Sequence, residues 1–176
     1  MEKRNVLFVM SSLRNGGAER SLVNLLQLLD YDRYNVDLLL FQNEGMFLKQ
    51  VPKAVNIISN CNKLYTLYGN NKAEALKHPY LSSIHMIGTF ISRKKTNSVA
   101  KSRQYRWEHF YKKIVPELTK EYDVAIAYMQ REQTYFLVDK VKAAKKIAWV
   151  HNEYSQLGHF KEMDLEYFEK VDKVVT

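Results

Sequence analysis

The sequence predicts an α/β domain built on a Rossmann-like parallel sheet with helices on both faces. Three observations carry that reading. Short, nearly continuous apolar runs recur at residues 6–10, 34–41, 123–128 and 146–150, as strands buried on both faces require. Segments of helical periodicity separate most of them, and alternation of this kind implies right-handed crossovers and parallel pairing. The first run also passes through Gly16 and Gly17 directly into a helix, a turn that aims a helix N-terminus and its free N–H groups at an anion.

The first strand is Val6-Leu7-Phe8-Val9-Met10, followed by Ser11, Ser12, Asn15, Gly16 and Gly17. Leu22, Leu25, Leu26 and Leu29 then fall at i, i+3, i+4 and i+7, giving a helix one apolar face for the sheet. Residues 34–41 form the second strand. Residues 45–51 form a connector of a helical turn or two, ending near Pro52, and residues 55–58 a short third strand. Asn62, Gly69, Asn70 and Asn71 make residues 60–78 the least regular part of the prediction. Pro79 opens a helix whose apolar stripe is Leu81, Ile84, His85, Ile87, Gly88 and Ile91. A second long helix is expected over 98–122, with Trp107, Phe110, Tyr111, Ile114 and Leu118 on one face and Pro116 bending or interrupting it. A strand at 123–128, a helix at 132–141, a strand at 146–150, a helix at 160–170 and a strand at 171–175 complete the pattern. That last strand ends at Thr176, where domains seldom stop, so a C-terminal part is expected to follow.

The composition is that of one folded domain: 176 residues, 46% hydrophobic and 12% aromatic. A lone cysteine, Cys61, excludes an internal disulfide and points to a reducing compartment. The N-terminal apolar run is only a strand long and no cleavage signal follows it, so no signal peptide is expected. No apolar run nears the roughly 20 residues that span a bilayer. The net charge of +8 is concentrated in one place. Arg93, Lys94, Lys95, Lys101, Arg103, Arg106, Lys112 and Lys113 stand against Glu108 alone, which holds nearly the whole imbalance in residues 93–113.

In a parallel sheet, ligands sit beyond the carboxyl ends of the strands, which selects the loops at 11–17, 129–133 and 151–158. Gly16 and Gly17 either admit a phosphate to the backbone amides or serve a tight turn alone. They do not complete a dinucleotide fingerprint, since no G-x-G-x-x-G is present and the acidic residue about 20 positions on, Asp37, lies inside a strand. His151 follows a strand directly and either meets a substrate hydroxyl or packs beside Trp149. Glu153 either pairs with it or opens the next loop. Gln130 and Arg131 end another strand, where Arg131 holds a phosphate or carboxylate, or is a solvated loop charge. Glu19 suits the start of the first helix whatever its function.

The basic segment interleaves Tyr105, Trp107, Phe110 and Tyr111 with its cations. An anionic lipid surface, single-stranded nucleic acid, or an ordinary helix with a buried aromatic face would each account for it. The membrane-contact candidates are Arg93, Lys94, Lys95, Lys101, Arg103, Arg106 and Trp107. None of the five histidines forms an H-x-x-x-H pair, so no metal site is expected.

The stretch NVLFVMSSLRNGGAERSLVNLL resembles the opening of family 4 glycosyltransferases, enzymes of the GT-B fold in which a GGAER-type sequence follows the first strand. YDVAIAYMQ, KKIAWVHNEY and VDKVVT resemble later strands of that family's N-terminal domain, in the expected order. The resemblance implies two Rossmann-like domains, of which this chain is the N-terminal, acceptor-side one, with the donor-binding domain beyond Thr176. It implies a retaining enzyme that moves a sugar from a nucleotide-sugar to a glycan or lipid-linked acceptor in cell-surface polysaccharide synthesis, without a cofactor or catalytic metal. By position, Gly16 and Gly17 would face the donor diphosphate and His151 the transferred sugar. Glu19, Gln130, Arg131 and Glu153 are acceptor-side candidates. The implied location is cytoplasmic, peripheral on the inner face of the cell membrane, with an anionic membrane surface as an expected partner and no nucleic acid. The isolated domain is expected to be inactive. The competing reading is a non-catalytic nucleotide-binding or nucleic-acid-binding α/β module; a receiver-like phosphoacceptor is disfavoured because Met10-Ser11-Ser12 ends the first strand without an aspartate.

Overall fold

A computed structural model describes residues 2–58, 62–69, 72–151, 158 and 160–176. Among them, six strands form one all-parallel sheet: β1 (Arg4–Met10), β2 (Tyr34–Leu40), β3 (Asn56–Ile58), β4 (Glu121–Ala127), β5 (Lys142–Trp149) and β6 (Lys173–Val175). Their order is β3-β2-β1-β4-β5-β6, so the chain moves outward from β1 to β3 and returns to the other side of β1 at β4. The fold is Rossmann-like.

The pleat of β1 explains its unbroken apolar run. Val6, Phe8 and Met10 enter one core cluster with Leu22, Val23 and Leu26 of helix α1 (Gly17–Leu28). Leu7 and Val9 enter the other, with Trp107 and Tyr111 and with Tyr135, Phe136 and Leu137 of a later helix. A strand covered on both faces must be apolar at successive positions.

Between β3 and β4 the chain is helical where the sequence suggested irregularity. Residues 60–78 contain α2 (Asn62–Tyr68) and α3 (Lys72–Lys77). Leu64 and Leu67, three residues apart and fully buried, anchor α2 to the core, and tertiary burial outweighs the local turn propensity that governed the prediction. Helix α4 (Pro79–Lys95) follows with Pro79 in its first turn, where a missing N–H costs nothing. Of its predicted stripe, Leu81 and Gly88 are buried together with Ser92, and Ile84 packs against the core, while Ile87 is 54% exposed. The helix expected over 98–122 stops sooner. It runs as α5 (Val99–Arg106), a π turn (Trp107–Tyr111) and α6 (Lys112–Ile114). Pro116 ends it rather than bending it, because the residue before a proline is driven to extended backbone, as Val115 is here. In the π turn the Lys112 N–H reaches back to the Trp107 carbonyl. Both Trp107 and Tyr111 are thereby buried, with the Trp107 indole N–H donating to Asp139 at 2.9 Å.

Helices α7 (Glu132–Lys140) and α8 (Lys161–Phe168) connect β4 to β5 and β5 to β6. A polar staple joins them to α5. The buried amide of Gln104 donates to the Tyr135 hydroxyl at 2.9 Å, to Asp164 at 3.1 Å and to the Phe160 carbonyl at 3.1 Å, and accepts from the Phe160 N–H at 2.7 Å.

Asp37 is a second such tie, not a ribose ligand. It is buried within β2, where it accepts from Asn56 of β3, the Tyr122 hydroxyl of β4 and the Lys120 ammonium, each at 2.8 Å. Burial alone would raise its pKa, but the hydrogen bonds from Lys120, Asn56 and Tyr122 outweigh that and lower it. The carboxylate therefore stabilises the fold above the pKa of an unfolded aspartate, and that contribution fades as pH falls through the lower folded value. Asp37→Asn should cost about 2 kcal/mol at neutral pH, while the two proteins should converge in stability as pH drops below about 4. Urea unfolding across pH measures this; a gap that stays constant into strong acid would refute the assignment.

Candidate functional site

The sheet order reverses between β1 and β4, the switch point beyond whose strand carboxyl ends parallel sheets of this kind hold their ligands. Three segments border it: the turn into α1, the end of β4 running into α7, and the end of β5.

The turn into α1 is braced from outside. Gly45 has φ +129°, and a Cβ there would fall 1.9 Å from the Leu13 carbonyl oxygen, so glycine is obligatory at that position. The Leu13 N–H donates to the Glu44 carbonyl at 2.9 Å, the Phe47 N–H to the Leu13 carbonyl at 3.1 Å, and Arg14 pairs with Glu44. Gly16 and Gly17 answer the question the sequence left open. Gly16 has φ −91° and ψ 164°, backbone that any residue adopts, so the turn does not need glycine for conformation. A Cβ on Gly16 would meet only the flexible Glu19 carboxylate, and one on Gly17 would meet nothing within 4 Å. Helix α1 has no side-chain cap on its first N–H groups. Glu19 folds over Gly16, and Gly17 faces open space at a positive helix end.

At the end of β4, Gln130 is 1% exposed. Its Oε1 accepts the His151 N–H at 3.3 Å, while its Nε2 is buried with no partner. Arg131 is the only non-glycine among the described residues with positive φ, at 74°, an uncommon conformation that marks strained functional turns. Its Nε is buried and unpartnered too, with Glu132 at 3.9 Å. Glu132, 1% exposed, opens α7 and is ion-paired to Arg103 of α5. Burial raises the Glu132 pKa, but Arg103 and Arg131 outweigh it and the net shift is downward, so a charged carboxylate is held in the interior.

His151 ends β5. Its ring stacks on Trp149, 5.6 Å away and 9° from parallel, and lies 4.8 Å from the ring of Tyr128. The Tyr128 hydroxyl shares a 3.0 Å hydrogen bond with Ser21 of α1, tying the β4 edge to the helix. The His151 Nε2 is buried without a partner. Burial lowers the His151 pKa and the Glu19 charge raises it, with burial prevailing, so the imidazole is neutral at pH 7. A neutral imidazole can donate or accept one hydrogen bond to a hydroxyl.

The structure thus brings Gly16, Gly17, Glu19, Gln130, Arg131 and His151 to one sheet edge. Glu153 lies outside the described residues. The basic segment divides. Arg93, Lys94 and Lys95 are exposed and Lys101 sits 4.8 Å over the Phe160 ring. Arg106 bonds Thr89 at 2.5 Å. Trp107 is buried and so lies off any outer surface, its burial with that of Tyr111 removes both from any base-stacking platform, and Arg103, partly exposed, is committed to its ion pair with Glu132. Sequence reasoning missed Ser21, Tyr128 and the Arg103–Glu132 pair. Ser21 follows Gly17 by four residues and so shares its helix face, a signal that was readable. The pairing of Arg103 across 29 residues was not.

Among the described residues no group of three or more His, Cys, Asp or Glu side chains gathers in metal-binding geometry. No helix there is long and apolar enough to cross a membrane. Compared with known proteins, the chain matches no family model and no curated sequence.

Two outcomes follow. Gly17→Ala should keep or raise thermal stability, because alanine is favoured over glycine in a helix by up to about 1 kcal/mol; a large loss would show that the fold itself requires the glycine. By NMR, His151 should titrate below the ordinary histidine value of about 6.5, and Glu19→Gln should lower it further by removing the opposing charge; an upward shift in that variant would contradict the geometry.

Proposed function

We propose that this chain is the acceptor-side domain of a retaining glycosyltransferase that uses a nucleotide-sugar donor, as its resemblance to family 4 of those enzymes implies. The observation that carries the reading is the pairing at one sheet edge of an open helix N-terminus at Gly17 with the buried, unpartnered Nε2 of a neutral His151. Sugar transfer from a nucleoside diphosphate builds negative charge on the departing phosphate, and a helix end with free amides stabilises such charge without reorganising. His151, just past β5 at the same sheet edge, is suited to a sugar hydroxyl. The unpartnered Gln130 and Arg131 side-chain nitrogens supply donors for an acceptor's oxygen atoms. A donor-binding domain packed over this edge would exclude water and complete the site. The acceptor is a glycan or lipid-linked sugar in polysaccharide synthesis at the cytoplasmic side of the cell membrane.

Transfer is measured with the chain joined to its donor-binding domain. His151→Ala should reduce kcat by about 10²- to 10⁴-fold, the usual range for a lost proton-handling or hydrogen-bonding group, with stability little changed. The 176-residue chain alone should give no turnover, and detectable turnover by it would overturn the division of labour proposed here.

A further inference from the structure

Helix α4 packs on α2, α3 and α5, with Leu81, Gly88 and Ser92 buried, and its opposite side meets no other element among the described residues. That side is not polar. Tyr80 is 70% exposed, Met86 70%, Ile87 54% and Phe90 62%. Tyr80, Ile87, Phe90 and Lys94 recur at i, i+7, i+10 and i+14, so they line one stripe, with Met86 and Arg93 along its flank. The stripe ends in Arg93, Lys94 and Lys95, all exposed, and the helix contains no acidic residue. Lys94 Nζ sits 4.3 Å over the Phe90 ring, so apolar and cationic groups form one surface. Beside its basic end lies a cavity of about 280 Å³ between Arg93, Ser98, Ser102 and Arg106. Arg106 contributes a guanidinium whose Nε is buried and unpartnered, a group suited to a phosphate oxygen.

We propose that the outer face of α4 is a docking surface for an anionic phospholipid bilayer, with Tyr80, Met86, Ile87 and Phe90 entering the headgroup and acyl boundary and Arg93, Lys94 and Lys95 holding lipid phosphates. The helix lies in the plane of the interface. At 17 residues it is about 25 Å long, and it is too polar to span. Charge and apolarity together select this occupant. A second copy of this face offers those cations no anion, since the helix holds no acidic residue. A nucleic acid would match the charge, but Met86 and Ile87 offer no ring to stack and would gain little there. An anionic lipid surface satisfies both halves of the face. The inference stands apart from the transferase reading, since binding requires neither donor sugar nor acceptor.

Flotation with vesicles of mixed phosphatidylglycerol and phosphatidylcholine tests it directly. The chain should float with these vesicles, release as salt is raised, and stay behind with phosphatidylcholine alone. Lys94→Gln with Lys95→Gln should weaken binding by about 25-fold at low salt, taking about fivefold per surface cation. Ile87→Asp with Phe90→Asp should weaken it by more than about tenfold. All four positions are exposed, so these variants should unfold at the parent temperature. Leu28→Asp, on the exposed side of α1 at 84% exposure, should bind as the parent does. Undiminished flotation of the Ile87→Asp, Phe90→Asp variant would overturn the proposal. Equal binding to neutral vesicles, or a dimer in solution that this variant dissolves, would overturn it as well.

Discussion

The constraint on which the rest depends is that β1 is paired on both edges and covered on both faces. An interior parallel strand has no exposed side, so its residues from Val6 to Met10 are apolar and its neighbours must supply helices above and below. Because the chain extends outward to β3 before returning to pair β4 with β1, the sheet order reverses between those two strands. The switch point is a consequence of connectivity, and it exists before any side chain is considered. What the sequence then places at its rim decides the chemistry.

At that rim the structure departs from the economy of the core. In the core, Asp37 accepts three donors and Gln104 makes four bonds, while the Tyr68 hydroxyl and Arg106 Nε lie buried without hydrogen-bond partners in the helical insertion. At the switch point, Gln130 Nε2, Arg131 Nε and His151 Nε2 are buried without hydrogen-bond partners, Arg131 Nε having only the Glu132 carboxylate at 3.9 Å, and Arg131 holds an uncommon backbone conformation. Unpaired buried groups are costly, and three at one edge form a set of donors and acceptors ready for a polar ligand. The Arg103–Glu132 pair lies directly behind them. It ties the long helical insertion to the start of α7, so α5 also supports the geometry of the site.

Much of this was legible in the sequence. The strands, their parallel arrangement and the gathering of Gly17, Gln130 and His151 at one edge follow from apolar runs of strand length and from where each run stops. The helices of residues 60–78 were not legible, because asparagine and glycine report local turn preference while Leu64 and Leu67 act through the distant core. The basic segment misled for a related reason. Charge counts cannot tell an arginine that faces solvent from one, like Arg103, that neutralises a buried carboxylate 29 residues away. Nor can helical spacing alone place Trp107, because a π turn shifts the register of the residues that follow it. The glycines divide on packing that no local pattern reports: Gly45, read in the sequence only as the start of a connector, has the obligatory backbone, while Gly16 and Gly17 leave space.

The most direct measurement of the central claim is an NMR titration of the uniformly labelled chain with a nucleoside diphosphate, which detects weak binding residue by residue. The account predicts saturable shifts centred on the amides of Gly17 and Ala18 and on the side chains of Gln130 and His151. Shifts confined to the cations of residues 93–113, or none at millimolar ligand concentrations, would contradict it.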